Sequence, residues 1–325
     1  MATGKDISVI ICTCNRAESL RITLDCLSRN DRDGLDFEVV VVDNNSTDDT
    51  RRVAESFRDR LPLKYLFEPR KGRYGKSHSL NRAIDAGGLG SLVAVIDDDI
   101  SPRQDWLRGV QNISSRWPDQ DVFTGSTLIF WPVDAVPGWA LKPYIQGWIF
   151  SGGINVSNDQ PLAEGRWFTG NHFWFRSRVL SGGRRFKDIW LTEPDFMLQL
   201  AEEGFGGVMG PDAVVGHRVQ PGLLSKEHAL RQAVKVGREY AEVRLRPCRS
   251  KVKQARLFRK HPLPARVFCI ANGIRWKAMF VLLKPWSWSD NGFARSLVAL
   301  ERTTTYRHLL TVAGQMEAYR VFGRK

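Results

Sequence analysis

The chain has 325 residues, 42% of them hydrophobic, enough for a large core organised as one large domain or two smaller ones. Its net charge of +13 is unevenly placed: residues 218–325 carry 23 Lys and Arg against 6 Asp and Glu, while residues 1–217 carry 25 against 29. The five cysteines, Cys12, Cys14, Cys26, Cys248 and Cys269, are odd in number and make no Cys-x-x-Cys pair, which argues against a zinc site and for a reducing compartment.

Met1–Asp6 is short and polar, so no signal peptide is expected. Ile7–Cys12 (ISVIIC) is apolar and β-branched and predicts a buried strand. Arg16–Arg29, with Leu or Ile at 20, 22, 24 and 27, predicts a helix, and Phe37–Val42 (FEVVVV) a second buried strand. Thr47-Asp-Asp-Thr50 starts a helix with a capping hydroxyl and early acids. Leu63–Phe67 reads as a third strand, Ser77–Gly87 as a helix and Leu92–Ile96 (LVAVI) as a fourth strand. This β-α-β-α order predicts an α/β fold with a doubly wound, mostly parallel sheet flanked by helices. Six of the eleven tryptophans fall between Trp131 and Trp190, in a stretch rich in Gly and Pro. Thr192–Glu203 is a further helix, with Pro194 at its start and Gly204 after its end. Beyond Pro221 the pattern is helical and basic.

Gly72–Asn81 (GRYGKSHSLN) contains Gly-x-x-Gly-Lys-Ser, and VAVIDDD follows it in the manner of a strand ending in a Walker-B aspartate. A phosphate-binding P-loop needs glycine five residues before the Gly-Lys-Ser glycine, and Arg70 stands there. The loop also follows the third strand, not the first. It therefore reads as an adaptable backbone at Gly72 and Gly75, with Lys71, Arg73 and Lys76 suited to a diphosphate.

Ligands of open parallel sheets bind outside the carboxyl ends of the strands. Those ends are Thr13-Cys14-Asn15-Arg16, Asp43-Asn44-Asn45-Ser46, the Gly-Lys loop and Asp97-Asp98-Asp99. A single polar end is ordinary helix capping, but four in succession suggest a site. Asp43 is suited to a base N–H or a ribose hydroxyl. Asp97-x-Asp99 offers hard oxygen ligands for Mg²⁺ or Mn²⁺ against a diphosphate.

In that order, ISVIICTCNR, VVVVDNNSTDDT, GKSHSLN and VIDDD resemble the family 2 glycosyltransferases with the GT-A fold. Trp167–Leu180 (WFTGNHFWFRSRVL) looks like the family's Gly-x-Asn segment, and TEPDFMLQLAEEGF like its Glu-Asp helix start, so the resemblance covers about residues 7–217. It implies an inverting transfer from a nucleotide diphosphate sugar, with UDP favoured, to an acceptor hydroxyl. The implied general base is Glu193, with Asp195 the second choice, and the implied divalent cation sits on Asp97, Asp99 and His217. The donor would be held by Thr13, Asn15, Arg16, Asp43 and Asn45, and by Arg70, Lys76, Asn81, Asp97 and Asp98. Arg218 is a further candidate for phosphate. Trp167, Gly170, Asn171, His172 and Trp174 would form the acceptor face, although core packing is the plainer reading for most of the tryptophans.

The expected organisation is a catalytic domain over 1–220, with a nucleotide-binding half to about 105 and an acceptor-binding half over about 106–220, and a basic helical region over 221–325. Within that region Ala265–Leu283 suits an amphipathic helix in a membrane interface, with Trp286 and Trp288 as anchors. An anionic membrane surface is thus an expected partner, nucleic acid is not, and the expected location is peripheral on the cytoplasmic face. The acceptor is expected to be a saccharide or a lipid-linked glycan of envelope or polysaccharide assembly. The competing readings are a catalytically degenerate nucleotide-sugar or glycan-binding protein and a nucleotidyltransferase.

Overall fold

The computed structural model describes residues 5–32, 34–70, 72, 74–162, 170–189, 192–245, 262–283 and 289–322. Two compact units divide them. One runs up to Phe130 and includes Ser151–Val219; the other contains Trp131–Phe150 and the chain from Gln220 onward.

The first unit is built on one mixed sheet. Strands β1 (Ile7–Thr13), β2 (Phe37–Asp43), β3 (Leu63–Phe67) and β4 (Leu92–Asp97) run parallel in the spatial order β3-β2-β1-β4. Helices α1 (Ala17–Ser28), α2 (Thr50–Glu55) and α3 (Gly75–Asp85) connect them. The β-branched runs of β1, β2 and β4 are buried on both faces, as expected of central parallel strands, whereas β3 lies at the sheet edge and is only half-buried. Past β4 the chain forms β5 (Ile100–Pro102), helix α4 (Trp106–Arg116), β6 (Val122–Phe130), β7 (Gln160–Pro161) and β8 (His172–Arg176). Helix α6 (Thr192–Glu202) and strand β9 (Gly207–Arg218) complete the unit. β8 pairs antiparallel with β4, and β6, β9 and β5 continue the sheet beyond it. The Gly170-Asn171 turn is thereby delivered beside the end of β4, where Asp97 N donates to Asn171 O at 3.2 Å.

Helix α2 starts three residues later than Thr47, and the reason is local. Thr47 N donates to Asn15 Oδ1 at 2.7 Å, and Asp48 accepts from Thr50 N and Ala17 N. These bonds bind the loop after β2 to the loop after β1 and postpone the first helical turn to Thr50.

The second unit is helical: α5 (Pro143–Ile149), α7 (Lys226–Leu245), α8 (Pro262–Leu283) and α9 (Asp290–Phe322), with α9 packed on both α7 and α8. Trp131–Phe150, read as part of the acceptor half, packs here: Trp139 meets the Phe150 and Phe293 rings, its own ring fully buried. Helix α8 is two-faced. Cys269 packs with Tyr306, Leu309 and Trp276, while Ile270, Ile274, Val281 and Leu282 are exposed, with Arg275 and Lys277 exposed beside them. Among the described residues no helix is long and apolar enough to cross a membrane, and Cys12, Cys26 and Cys269 are free thiols. Cys248, Trp286 and Trp288 lie outside the described residues.

Candidate active site

The carboxyl ends of β1, β2 and β4 and the start of α3 enclose a cleft of about 240 Å³, lined among others by Thr13, Arg16, Asn44, Lys76, Asp97 and Asp98. Thr13 Oγ1 donates to Asp98 Oδ2 at 2.7 Å. Arg16 spans the neighbouring carboxylates, with Nη1 3.0 Å from Asp98 Oδ1 and Nη2 2.8 Å from Asp99 Oδ2. Burial pushes the Asp98 carboxyl up to about 6 despite Arg16 and Thr13. Burial acts the same way on Asp99, but His217 and Arg16 outweigh it and hold that carboxyl well below the usual range.

Lys76 enters this cleft because Gly75 has no side chain: a Cβ there would lie 2.2 Å from Asn44 Oδ1. The first turn of α3 therefore sits directly on the end of β2. Asn44 is fixed in turn by donating to Arg70 O at 2.7 Å. The Gly-Lys-Ser segment is the beginning of this helix and not a phosphate-wrapping loop. Lys76 Nζ donates to Asp97 Oδ1 at 2.5 Å, to Glu193 Oε1 and to Gly170 O at 3.3 Å. Burial opposes the ammonium, but Asp97 and Glu193 overcome it and raise its pKa above the ordinary lysine value. Burial likewise raises the Cys12 thiol, so it stays protonated. Glu193 stands in the first turn of α6 with its side chain 8% exposed, and Gly170 makes room for it: a Cβ on Gly170 would come 2.9 Å from Glu193 Oε1. Asp195 lies deeper, with Oδ2 3.7 Å from Lys187 Nζ.

The expected cation ligands are only partly assembled. His217 Nε2 lies 3.5 Å from Asp99 Oδ2, and Asp99 Oδ1 is buried with no hydrogen-bond partner among the described residues. Asp97 instead faces Lys76, and no three His, Cys, Asp or Glu side chains among the described residues form a metal-binding group. A carboxylate oxygen without a hydrogen bond beside an imidazole fits a divalent cation that takes its other ligands from phosphate and water.

Several expected donor contacts are engaged elsewhere. Asn15 and Asn45 both adopt left-handed backbone (φ 52° and 57°), which asparagine tolerates well. Asn15 Oδ1 holds Thr47, and Asn45 Nδ2 donates to Pro69 O. Asp43 accepts from Tyr65 OH at 2.7 Å and Ser46 N at 2.9 Å while remaining at the end of β2. Arg70 is exposed and doubly bonded to Glu68, and Asn81 spends both amide atoms on the Phe186 backbone. Arg218 is no phosphate ligand: its guanidinium donates to Ile100 O, Ser19 O, Asp98 O and the Ser101 and Thr23 hydroxyls, fixing the Asp98 turn.

The acceptor face requires correction. His172 and Trp174 are wholly buried; Trp106 donates to His172 Nε2 at 2.8 Å, and Trp174 donates to the Ser114 hydroxyl and stacks on Phe123. Phe173 and Phe175 beside them are buried as well, because β8 is an interior strand covered on both faces. Asn171 donates to Ser151 O and leaves Oδ1 buried without a hydrogen-bond partner among the described residues. Trp167, Lys71 and Arg73 lie outside the described residues. Sequence reasoning missed the seat that Asn44 gives α3, the space that Gly170 gives Glu193 and the bracing role of Arg218. The glycines carried a usable signal; the partners did not, since they are distant in sequence.

Comparison with known proteins bears on the fold that carries this cleft. The model of the family described as "Glycosyl transferase family 2" matches residues 8–138. Glycosyltransferase AglE of Haloferax volcanii is 35% identical over 117 residues, 35% of this chain and 37% of that protein. The chain spans 10–37% of the length of the curated relatives it matches. Among solved structures, mannosyltransferase PcManGT from Pyrobaculum calidifontis, in complex with GDP-Man and Mn²⁺, is similar with a TM-score of 0.55 and 20% identity. That match covers 100% of this chain and 89% of the other. TarS of S. aureus, in complex with UDP-GlcNAc, is similar with a TM-score of 0.53 and 18% identity over 97% and 92% of the two chains. The matched residues include the strand ends that form the cleft, and the chain shares the GT-A fold of these structures.

Proposed function

We propose that the chain is an inverting glycosyltransferase that moves a sugar from a nucleoside diphosphate sugar to an acceptor hydroxyl in glycan assembly. The observation that carries this reading is the meeting of Glu193 and Asp97 on one lysine at the edge of the strand-end cleft. It brings a buried carboxylate suited to proton abstraction beside groups suited to a diphosphate. The bound ligands of the similar structures support the donor class, and UDP is the nucleoside diphosphate we favour.

In this mechanism the acceptor oxygen attacks the anomeric carbon on the face opposite the diphosphate. The new C–O bond forms as the bond to the diphosphate breaks, and the electron pair leaves with the nucleoside diphosphate. Glu193 takes the hydroxyl proton; Asp195, buried beside Lys187, is the less suitable base. Lys76 meets the departing diphosphate, and Arg16 keeps Asp98 and Asp99 in place. A divalent cation held by Asp99 and His217, when bound, would neutralise charge on the leaving group. The acceptor is a saccharide or lipid-linked glycan, and the basic second unit brings the enzyme to the cytoplasmic face of an anionic membrane.

The test is the melting temperature of the purified chain with UDP, GDP, ADP and ATP, each with and without Mn²⁺, followed by product analysis. A cation-dependent rise with one nucleoside diphosphate, and release of that diphosphate on transfer, are the expected results. Release of pyrophosphate would identify a nucleotidyltransferase, and binding without turnover a degenerate binding protein.

A further inference from the structure

The Lys76 ammonium has three protons and three acceptors in the structure: Asp97 Oδ1, Glu193 Oε1 and the Gly170 carbonyl. All of its donors are therefore committed to protein groups. One of these is the carboxylate assigned to deprotonate the acceptor, and a carboxylate oxygen that holds an ammonium is a poor acceptor for a neutral hydroxyl. A diphosphate entering the cleft competes for the same ammonium, and it carries more charge than one carboxylate. It also meets the first turn of α3, where backbone N–H groups favour an anion and the helix dipole disfavours a lone cation.

We propose that Lys76 is a positioning residue that couples the two substrates: it exchanges Glu193 for the donor's diphosphate, so the base is freed for the acceptor only after the donor is seated. Asp97, which lines the cleft, keeps the lysine within reach during the exchange. This inference rests on the transferase reading and adds to it the residue through which the donor releases the base.

The experiment is a double-mutant cycle on the full chain: wild type, Lys76→Met, Glu193→Gln and the double variant, followed by melting temperature. Each is measured alone and with UDP or GDP plus Mn²⁺ at concentrations that saturate that variant. Alone, Lys76→Met leaves Asp97 and Glu193 facing one another uncompensated and lowers the melting temperature by about 2–4 °C. The double variant recovers part of that loss, so the effects are non-additive. With nucleotide bound the effects become additive, because Lys76 no longer touches Glu193. Equal coupling in both states, or additivity in both, would overturn the exchange. Lys76→Gln serves in the same cycle if Lys76→Met does not fold. A wild type that shifts with neither nucleotide would overturn the transferase reading itself, a failure visible before the cycle begins.

Discussion

Gly170 and Glu193 are in contact across the cleft edge: a Cβ at Gly170 would sit 2.9 Å from Glu193 Oε1 and 3.0 Å from its Cδ. The carboxylate end must move most, with Glu193 Cβ also tight at 3.2 Å, so Gly170→Ala turns the carboxylate aside. Misplacing a catalytic group by an ångström costs about 100-fold in rate, and a loss of roughly 10–100-fold in kcat is expected. The nucleotide-induced rise in melting temperature should persist, since Thr13, Arg16 and Asp98, which we propose meet the donor, keep their bonds to one another. Initial rates at saturating donor check this, and an unchanged kcat would separate Gly170 from the chemistry.

Glu193→Gln keeps the shape of the side chain and removes its basicity. Loss of a general base costs about 10²–10⁴-fold, and that loss is expected in kcat with nucleotide binding preserved. Asp195→Asn, at a buried position near Lys187, should act on stability more than on kcat. Near-normal turnover in Glu193→Gln alongside a collapse in Asp195→Asn would exchange the two roles.

These variants mark where the sequence was legible. The strands Ile7–Thr13, Phe37–Asp43 and Leu92–Asp97 were readable because buried parallel strands carry largely apolar, β-branched runs; the edge strand Leu63–Phe67 carries a weaker run, broken by Lys64. Their polar ends located the cleft for the same reason: the apolar run stops where the sheet stops. Side-chain aim was not readable. His172 and Trp174 look like binding residues beside Gly170-Asn171, yet the pairing of β8 with β4 and β6 buries both, and no local pattern reveals that pairing. Arg218 looked like a partner for phosphate, and only the fold brings Ser19, Thr23 and Asp98 around it.

The burial of His172 makes a pH dependence. Burial pushes its imidazole from 6.5 down to about 3, so between those values the unfolded chain binds a proton that the folded chain excludes. Its contribution to stability is complete above pH 6.5 and is lost as pH falls toward 3. Between pH 7 and pH 5 the loss from this one group is about 2 kcal/mol. His172→Gln keeps an acceptor for the Trp106 indole and cannot titrate in this range. Urea unfolding at both pH values should show a smaller acid loss in the variant by that amount. Parallel pH slopes would contradict a neutral, buried His172.

The outward face of α8 makes the membrane proposal testable apart from catalysis. Ile270, Ile274 and Val281 recur at helical spacing, Ile274 is 65% and Leu282 70% exposed, and Arg275 and Lys277 are exposed beside them. An apolar stripe edged by cations fits an anionic bilayer: the apolar side chains enter the interface while each cation near the surface contributes about 1 kcal/mol. The full chain should float with anionic liposomes at low salt, float less as salt screens the attraction, and remain at the bottom with neutral liposomes. Ile274→Glu combined with Leu282→Glu places carboxylates where the bilayer would be. It should abolish flotation while leaving the nucleotide-induced rise in melting temperature intact, because neither residue lines the strand-end cleft. A wild type that stays at the bottom at low salt would mean that this face is only solvated and that the charge of residues 218–325 serves another anion.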